Sequence, residues 1–467
     1  MKRVRIVVVM QVLAAAFLVL AGLATRAFSE GAGGSAGQVK TEEIADQAKA
    51  GETADYLSER VADLSSEGKY KEAIIQAKKL LGVKEKLLGG GHPGVADTLI
   101  ILARLCETSG KYAEAEAFYK RVLALRESSL GRENPAVVDI LNRLAVVYKT
   151  MGRYAEAELL YKRVVDIKVL SMGAPDTAVA LSNLAGVCKA MKRYAEAEQY
   201  YKRALKLQEK ISGQESREVA ATCDNLAEVY YYAAKYDEAE LFYKRSLTIR
   251  EKAFGKEKGE VARSLNNLAV LYDTAGKKSL AERYYLKSLE IREKFSGSGH
   301  PDTALTMNNL AALYFSAGNH AKAEELYRKS LDIREKVLGK DHPDVAQSLN
   351  NIAALYAASG RYEEAEEALL RAVKIREKAW GKESPELLSG LSNLAELYFS
   401  AGKYGDAEPL CKRVIEIQEK TLGRDHPELA RSLYRLAAVY NSEGMFAEGA
   451  RLSRRADRIT KKSRGSM

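Results

Sequence analysis

The feature that most limits what this chain can fold into is a period of 42 residues. A turn motif, Gly/Ala-Lys/Arg-Tyr, recurs with Tyr70, Tyr112, Tyr154, Tyr236, Tyr362 and Tyr404, with Lys192 as its first residue at Tyr194, and Lys278, His320 and Phe446 stand in the same register. Every step is 42 residues except Tyr154 to Tyr194, which is 40. The two missing residues fall before Pro175, where Ser171-Met172-Gly173-Ala174 is shorter than the matching run that ends at Pro135. Loops absorb such changes and helices do not. A chain of 467 residues is too long for one compact core, and periods of about 20–50 residues are the mark of stacked repeats.

Each unit divides into two helices. In the copy that starts at His342, Asp341 and His342 can cap and Pro343 suits a first helical turn. Leu349, Ile352, Ala353 and Tyr356 follow at i, i+3, i+4 and i+7, which predicts an amphipathic helix A ending at Gly360. Helix B begins near Tyr362 and carries Ala365, Leu369, Val373 and Ile375 towards Trp380 and Gly381. Alanine at 353 and 365 predicts that the two helices approach closely. Tyrosine usage supports the register, since 20 of 26 fall at three positions: the turn, late helix A (Tyr272, Tyr356) and helix B (Tyr243, Tyr327). They read as packing residues.

The pattern Leu-Asn-Asn-Leu-Ala-x-Leu-Tyr-x-x-x-Gly-x-Tyr-x-x-Ala-Glu resembles the tetratricopeptide repeat. The 42-residue period, with loops such as Gly339–Ala346, resembles the kinesin light chain variant. The resemblance covers residues 52–463 and implies an all-α, right-handed solenoid of about ten hairpins. Its first copy, about 52–90, is degenerate. Its last helix B, from Phe446 to Lys462, replaces the usual Tyr with Ser453 and turns polar, as a terminal cap should. Residues 28–51, with the run Glu-Gly-Ala-Gly-Gly-Ser-Ala-Gly near their start, read as a flexible tether, and residues 464–467 as a polar tail.

The net charge of +10 sits at the two ends: residues 1–27 carry +4, residues 451–467 carry +6, and residues 28–450 sum to zero. Residues 1–5 are basic and residues 6–24 are apolar apart from Gln11 and Gly22. That is the pattern of an export signal cleaved near Ala24 or Ala27, or of an uncleaved membrane anchor. Either puts the repeats outside the cytoplasm, in the periplasm or tethered to the membrane through residues 6–24. The basic stretch 451–467 offers an anionic contact or a solvated cap helix. Cys106, Cys188, Cys223 and Cys411 each stand where other copies carry Tyr or Leu, so four buried free thiols are expected.

Catalytic chemistry finds little support. Gly33-Gly34-Ser35-Ala36-Gly37 fits a nucleophile elbow but has no strand before it. Four of the five histidines, His92, His300, His342 and His426, belong to His-Pro loops spaced by multiples of 42, less the two-residue deletion between His92 and His300, which suits capping better than metal binding. Tyr-Lys-Arg runs such as 119–121 have Glu four residues before the Lys, as in Glu116 and Lys120, a solvated helix face. No enzyme, cofactor, metal or nucleic-acid partner is expected.

The expected partner is a protein or peptide. Tetratricopeptide proteins bind extended segments in a concave groove lined by helix A, so the resemblance implies that groove as the site. Opposite the apolar stripe of helix A stand Asn183, Asn225, Asn267, Asn309, Asn351 and Asn393, one per copy, preceded by Asn at 266, 308 and 350. An amide side chain offers donors and an acceptor, so such a row suits a peptide backbone; it also suits bonds between neighbouring repeats. Near them Phe315 and Phe399 flank a space opened by Ala312, Ala354 and Ala357, a candidate apolar pocket. Three roles remain open: a binding scaffold, a permanent subunit of an envelope enzyme or secretion complex, and a small-ligand or carbohydrate sensor.

Overall fold

A computed structural model describes residues 36–170, 174–255 and 258–464. Among them are twenty α-helices and no strand. The first six are α1 (Ala36–Ser66), α2 (Tyr70–Leu88), α3 (Pro93–Thr108), α4 (Tyr112–Leu130), α5 (Val138–Thr150) and α6 (Tyr154–Leu170). Next come α7 (Ala174–Ala190), α8 (Tyr194–Ser212), α9 (Arg217–Tyr232), α10 (Tyr236–Phe254), α11 (Gly259–Thr274) and α12 (Lys278–Ser296). Then follow α13 (Pro301–Ser316), α14 (His320–Leu338), α15 (Pro343–Ala358) and α16 (Tyr362–Trp380). The last four are α17 (Leu388–Ser400), α18 (Tyr404–Leu422), α19 (Pro427–Ser442) and α20 (Phe446–Arg464). Odd-numbered helices are helix A of ten repeats and even-numbered ones helix B, in successive antiparallel hairpins. Contacts divide the chain into two compact units, residues 1–180 and 181–467.

The hairpins form where the sequence predicts, and their local chemistry is uniform. The side chains of His92, His300, His342 and His426 cap helix A, each accepting the N–H of the second residue on through Nδ1 at 3.1–3.3 Å. Asn134, Ser216 and Ser384 cap in copies without the histidine. At the core of every hairpin from the first to the ninth lies one helix-B alanine, from Ala73 to Ala407, with no exposed surface. The helix-B tyrosines Tyr119, Tyr161, Tyr201, Tyr243, Tyr285 and Tyr327 are all buried, and burial pushes the Tyr327 hydroxyl up to about 12. Late helix-A tyrosines tie repeats together instead. Tyr148, Tyr230, Tyr272, Tyr314, Tyr398 and Tyr440 each donate their hydroxyl to a glutamate of the preceding helix B, at 2.8–3.1 Å.

Three expectations about the ends and the thiols can be placed. Residues 36–51, read as part of a tether, are helical: α1 starts at Ala36 and runs unbroken to Ser66. Its stretch Gln38–Ala50 is dominated by Ala, Glu, Lys and Gln, strong helix formers that outweigh the small residues before it. Residues 1–27, with the apolar run 6–24, lie outside the described residues, as do 28–35 and 465–467. At the basic end, α20 spends charge on the preceding repeat: Lys462 pairs with Asp425 at 2.6 Å and Arg455 with Glu419 at 2.7 Å. The four cysteines are buried and none is in a disulfide, and burial pushes the Cys223 and Cys411 thiols up to about 11.

The tight turn inside each hairpin demands a left-handed residue. Gly110, Gly276 and Gly360 supply it with φ of 72–74°, but the fourth and fifth repeats place Lys192 (φ 60°) and Ala234 (φ 57°) there. A side chain in that region costs about 1–2 kcal/mol, so Lys192→Gly and Ala234→Gly are expected to stabilise the protein by roughly 1 kcal/mol each. Urea denaturation checks this, and a loss of stability from either change would contradict it.

Candidate functional site

The candidate site lies on the A-helix face of residues 181–467, where α11 touches α13, α13 touches α15 and α15 touches α17. Helix periodicity turns the apolar stripe of each A helix towards its own hairpin and leaves the asparagine position on the opposite side. Asn183, Asn225, Asn267, Asn309 and Asn351 are half-buried and Asn393 is exposed. The preceding Asn266, Asn308 and Asn350 are only 6%, 7% and 5% exposed.

In the middle of the row the asparagines bond to one another. Asn309 Nδ2 donates to Asn266 Oδ1 at 3.3 Å, and Asn351 Nδ2 donates to Asn308 Oδ1 at 3.0 Å, each bond joining one repeat to the next. Within α15, Gln347 donates to Asn351 Oδ1 at 3.2 Å. These amides are therefore structural in part. Asn309→Ala and Asn351→Ala each orphan a buried acceptor, and a loss of about 1–2 kcal/mol is expected from each by chemical denaturation. An unchanged denaturation midpoint would show that these bonds carry no stability.

At both ends of this bonded stretch the series opens. The register of Asn266 and Asn308 is filled by Asp224 one repeat earlier and by Asn350 one repeat later. Asp224 Oδ1 and Asn350 Oδ1 are buried and accept no hydrogen bond. Each lies at a cavity between successive A helices. One cavity, of about 510 Å³, is lined by Ala221, Asp224, Asn225, Glu228, Tyr231, Tyr232, Tyr243, Arg250, Arg263, Asn267 and Val270. The other, of about 330 Å³, is lined by Asn350, Ala353, Ala354, Ala357, Tyr362, Leu369, Asn393, Glu396, Leu397 and Ser400.

The two cavities occupy the same place in the repeat, three copies apart, with different chemistry. Asp224, Glu228, Tyr231 and Tyr243 in the first correspond to Asn350, Ala354, Ala357 and Leu369 in the second. The first is polar and aromatic. Asp224 Oδ2 pairs with the buried Arg250 at 2.6 Å, Glu228 with Lys189 at 2.7 Å and Arg263 with Glu260 at 2.5 Å. Tyr231 meets Tyr232 edge to face at 5.3 Å, and Tyr232 stacks on Tyr194 at 6.3 Å. Burial, and then the Glu228 and Asp224 carboxylates, push the Tyr243 hydroxyl far above its usual range. In the next repeat, burial raises Asp273, which holds Tyr231's position in the register.

Phe315 and Phe399 are half-buried and pack locally. Each ring rests on the first residue of the following helix B, Phe315 on His320 at 5.6 Å and Phe399 on Tyr404 at 5.5 Å. Tyr231 does the same with Tyr236 at 6.2 Å. The residues lining the smaller cavity include Ala354 and Ala357 but neither phenylalanine.

Sequence reading missed the residues beneath this face. Arg250, Arg292, Arg334 and Arg376, one per repeat, are 3–7% exposed. Their guanidiniums grip the first turn of the next A helix. Arg334 donates to the Asp344 carbonyl at 2.9 Å and to Ser348 Oγ at 2.8 Å; Arg376 donates to the Glu386 carbonyl at 3.1 Å. Arg292 bonds the Asp302 carbonyl, and Arg250 bonds Ser264 Oγ at 2.5 Å. Burial lowers the pKa of Arg292, Arg334 and Arg376. The signal was the recurrence of Ile-Arg-Glu-Lys at 249–252, 291–294, 333–336 and 375–378.

Comparison with known proteins gives a consistent result. A family model described as Tetratricopeptide repeat matches residues 52–128, 108–168, 176–252, 225–294, 302–378 and 386–461. No curated protein matches the chain. Among solved structures, BtubC (BKLC) from P. vanneervenii is 25% identical, covering 50% of this chain and 92% of its own, with a TM-score of 0.41. A putative kinesin light chain of Podospora anserina is 28% identical over 44% of this chain and 98% of its own, with a TM-score of 0.39. The quorum sensor NprR from B. thuringiensis, in its apo form, is 16% identical over 80% of this chain and 99% of its own, with a TM-score of 0.50.

Proposed function

The chain belongs to the tetratricopeptide repeat family, and from that premise we propose that it is a non-enzymatic scaffold holding an extended partner segment on its A-helix face. The observation that carries this reading is the pair of cavities in one register, each with a buried acceptor oxygen lacking a donor. An extended backbone supplies N–H donors at a steady pitch, and the amides of Asn225, Asn267 and Asn393 stand beside the two cavities to meet its carbonyls and amides. The different linings would then read different side chains along one segment.

The test uses quantitative capture by the full chain from extracts of its host. Asn225→Ala combined with Asn393→Ala should weaken capture of the partner about tenfold or more. Leu241→Ala with Leu370→Ala, on exposed helix-B surface, should leave capture unchanged. The opposite pattern would contradict the groove reading. Co-purification of one fixed complex insensitive to the groove variant would favour the permanent-subunit role.

We propose further that residues 1–27 direct export, on the strength of their basic start and apolar run. No described helix is long and apolar enough to cross a membrane. A reporter fused after residue 50 should be active only when exported; activity of a reporter that works solely in the cytoplasm would contradict this.

A further inference from the structure

The smaller cavity, between α15 and α17, carries a more specific assignment, which rests on the groove reading. Its floor is apolar, formed by Ala353, Leu369 and Leu397, and its side is opened by Ala354 and Ala357. Three repeats earlier the same place holds Tyr231, and one repeat to either side Phe315 and Phe399 stand in the register of Ala357. Phe315 and Phe399 rest on His320 and Tyr404, so a phenylalanine at 357 would set its ring on Tyr362, which lines this cavity, and alanine leaves that place unfilled.

The cavity also has an unmet hydrogen-bonding demand. Asn350 is 5% exposed, and its Oδ1 has no donor. In the two repeats before it, the equivalent oxygen takes an N–H from the asparagine of the next A helix. No such bond reaches Asn350 from Asn393, which is exposed. Asn350 lines the cavity, and a turn about its broad χ2 well would present Oδ1 there, where a ligand N–H can replace the missing partner. The charge of the lining is set by Glu396 alone, which is 55% exposed and pairs with Arg435 at 3.0 Å. With no cation in the lining, an acidic ligand is disfavoured.

We propose that this cavity is the anchor subsite of the groove, taking one branched aliphatic residue of the partner segment, whose main-chain N–H bonds to Asn350 Oδ1. Burying a Leu or Val side chain drives the insertion, the amide fixes its orientation, and Glu396 rejects Asp or Glu at that position.

The test uses the full chain carrying 13C-methyl alanine, titrated with capped peptides Ac-Ala-Ala-X-Ala-Ala-NH2. With X as Leu, the methyl resonances of Ala353, Ala354 and Ala357 should shift saturably. Binding should be about tenfold or more weaker with X as Asp. Methylating the amide nitrogen of the Leu residue, which deletes the N–H, should weaken binding about fivefold. Ala357→Phe, which repeats the residue that Phe315 and Phe399 place in this register and so suits the fold, should remove the shifts at Ala353 and Ala354. Equal binding of Leu and Asp peptides, indifference to N-methylation, or shifts that persist in Ala357→Phe would each overturn the assignment. Saturable shifts at Ala221 of the larger cavity without any at Ala353 would overturn the subsite and leave the groove reading standing. Silence of every groove alanine would overturn both.

Discussion

Replacing Arg334 with alanine is expected to destabilise the protein by about 3 kcal/mol, more than any change on its exposed face. The side chain is 6% exposed, and its guanidinium bonds the Asp344 carbonyl and Ser348 Oγ at the start of the next repeat. Truncation removes the packing of the long aliphatic stem and two charge-assisted hydrogen bonds, leaving the Asp344 carbonyl and Ser348 Oγ with only the 3.4 Å bond between them. Arg334→Met should cost far less, roughly 1 kcal/mol or below, because it keeps the stem and removes the penalty of a desolvated cation. Each repeat rests on its neighbours, so the alanine variant should also broaden the denaturation transition or split it. Equal losses for Ala and Met would show that the charge, not the volume, holds the junction.

The second large effect concerns packing inside a hairpin. Ala365 has no exposed surface and lies in a core with Ala353, Tyr356 and Leu369. The same helix-B position is a fully buried alanine in each earlier repeat and in the next. Two helices that meet on alanine have no room for three further carbons, so Ala365→Leu should cost about 3 kcal/mol. Ala379→Leu, at an exposed site on the same helix, should stay within about 0.5 kcal/mol of the parent. The tenth repeat shows the same constraint from the other side. It carries Gly449 here, and the side chain of Asn441 fills the place of the missing methyl.

The fold was legible because its determinants are local and recur. Histidine caps, turn residues, core alanines and buried tyrosines each announce themselves every 42 residues, and the two-residue deletion falls between Leu170 and Ala174 as loop logic requires. Other features depend on what one repeat presents to the next. Whether Asn309 faces solvent or Asn266 is decided by the stacking of α13 on α11, which a single helical wheel does not contain. The rings of Phe315 and Phe399 reach five residues ahead to the turn, a direction that helix periodicity alone does not give. The buried arginines were missed because charge reads as exposure, although Arg334 follows Ile333 within a strictly repeating tetrad. Helix α1 was misplaced because the 42-residue frame carries no information about where the first copy starts.

The central claim is that the A-helix face between repeats five and nine holds a partner segment, and site-specific photocrosslinking addresses it most directly. A photoreactive phenylalanine analogue placed at Asn393, and separately at Asn225, in the full chain within its host should capture the same partner. The attached peptides should map to one continuous stretch of that partner, with a branched aliphatic residue near the Asn393 adduct. The same analogue at Leu241, 65% exposed on helix B, should capture nothing in common with them. Matching adducts from Leu241, or groove adducts scattered over unrelated proteins with no shared stretch, would contradict the account.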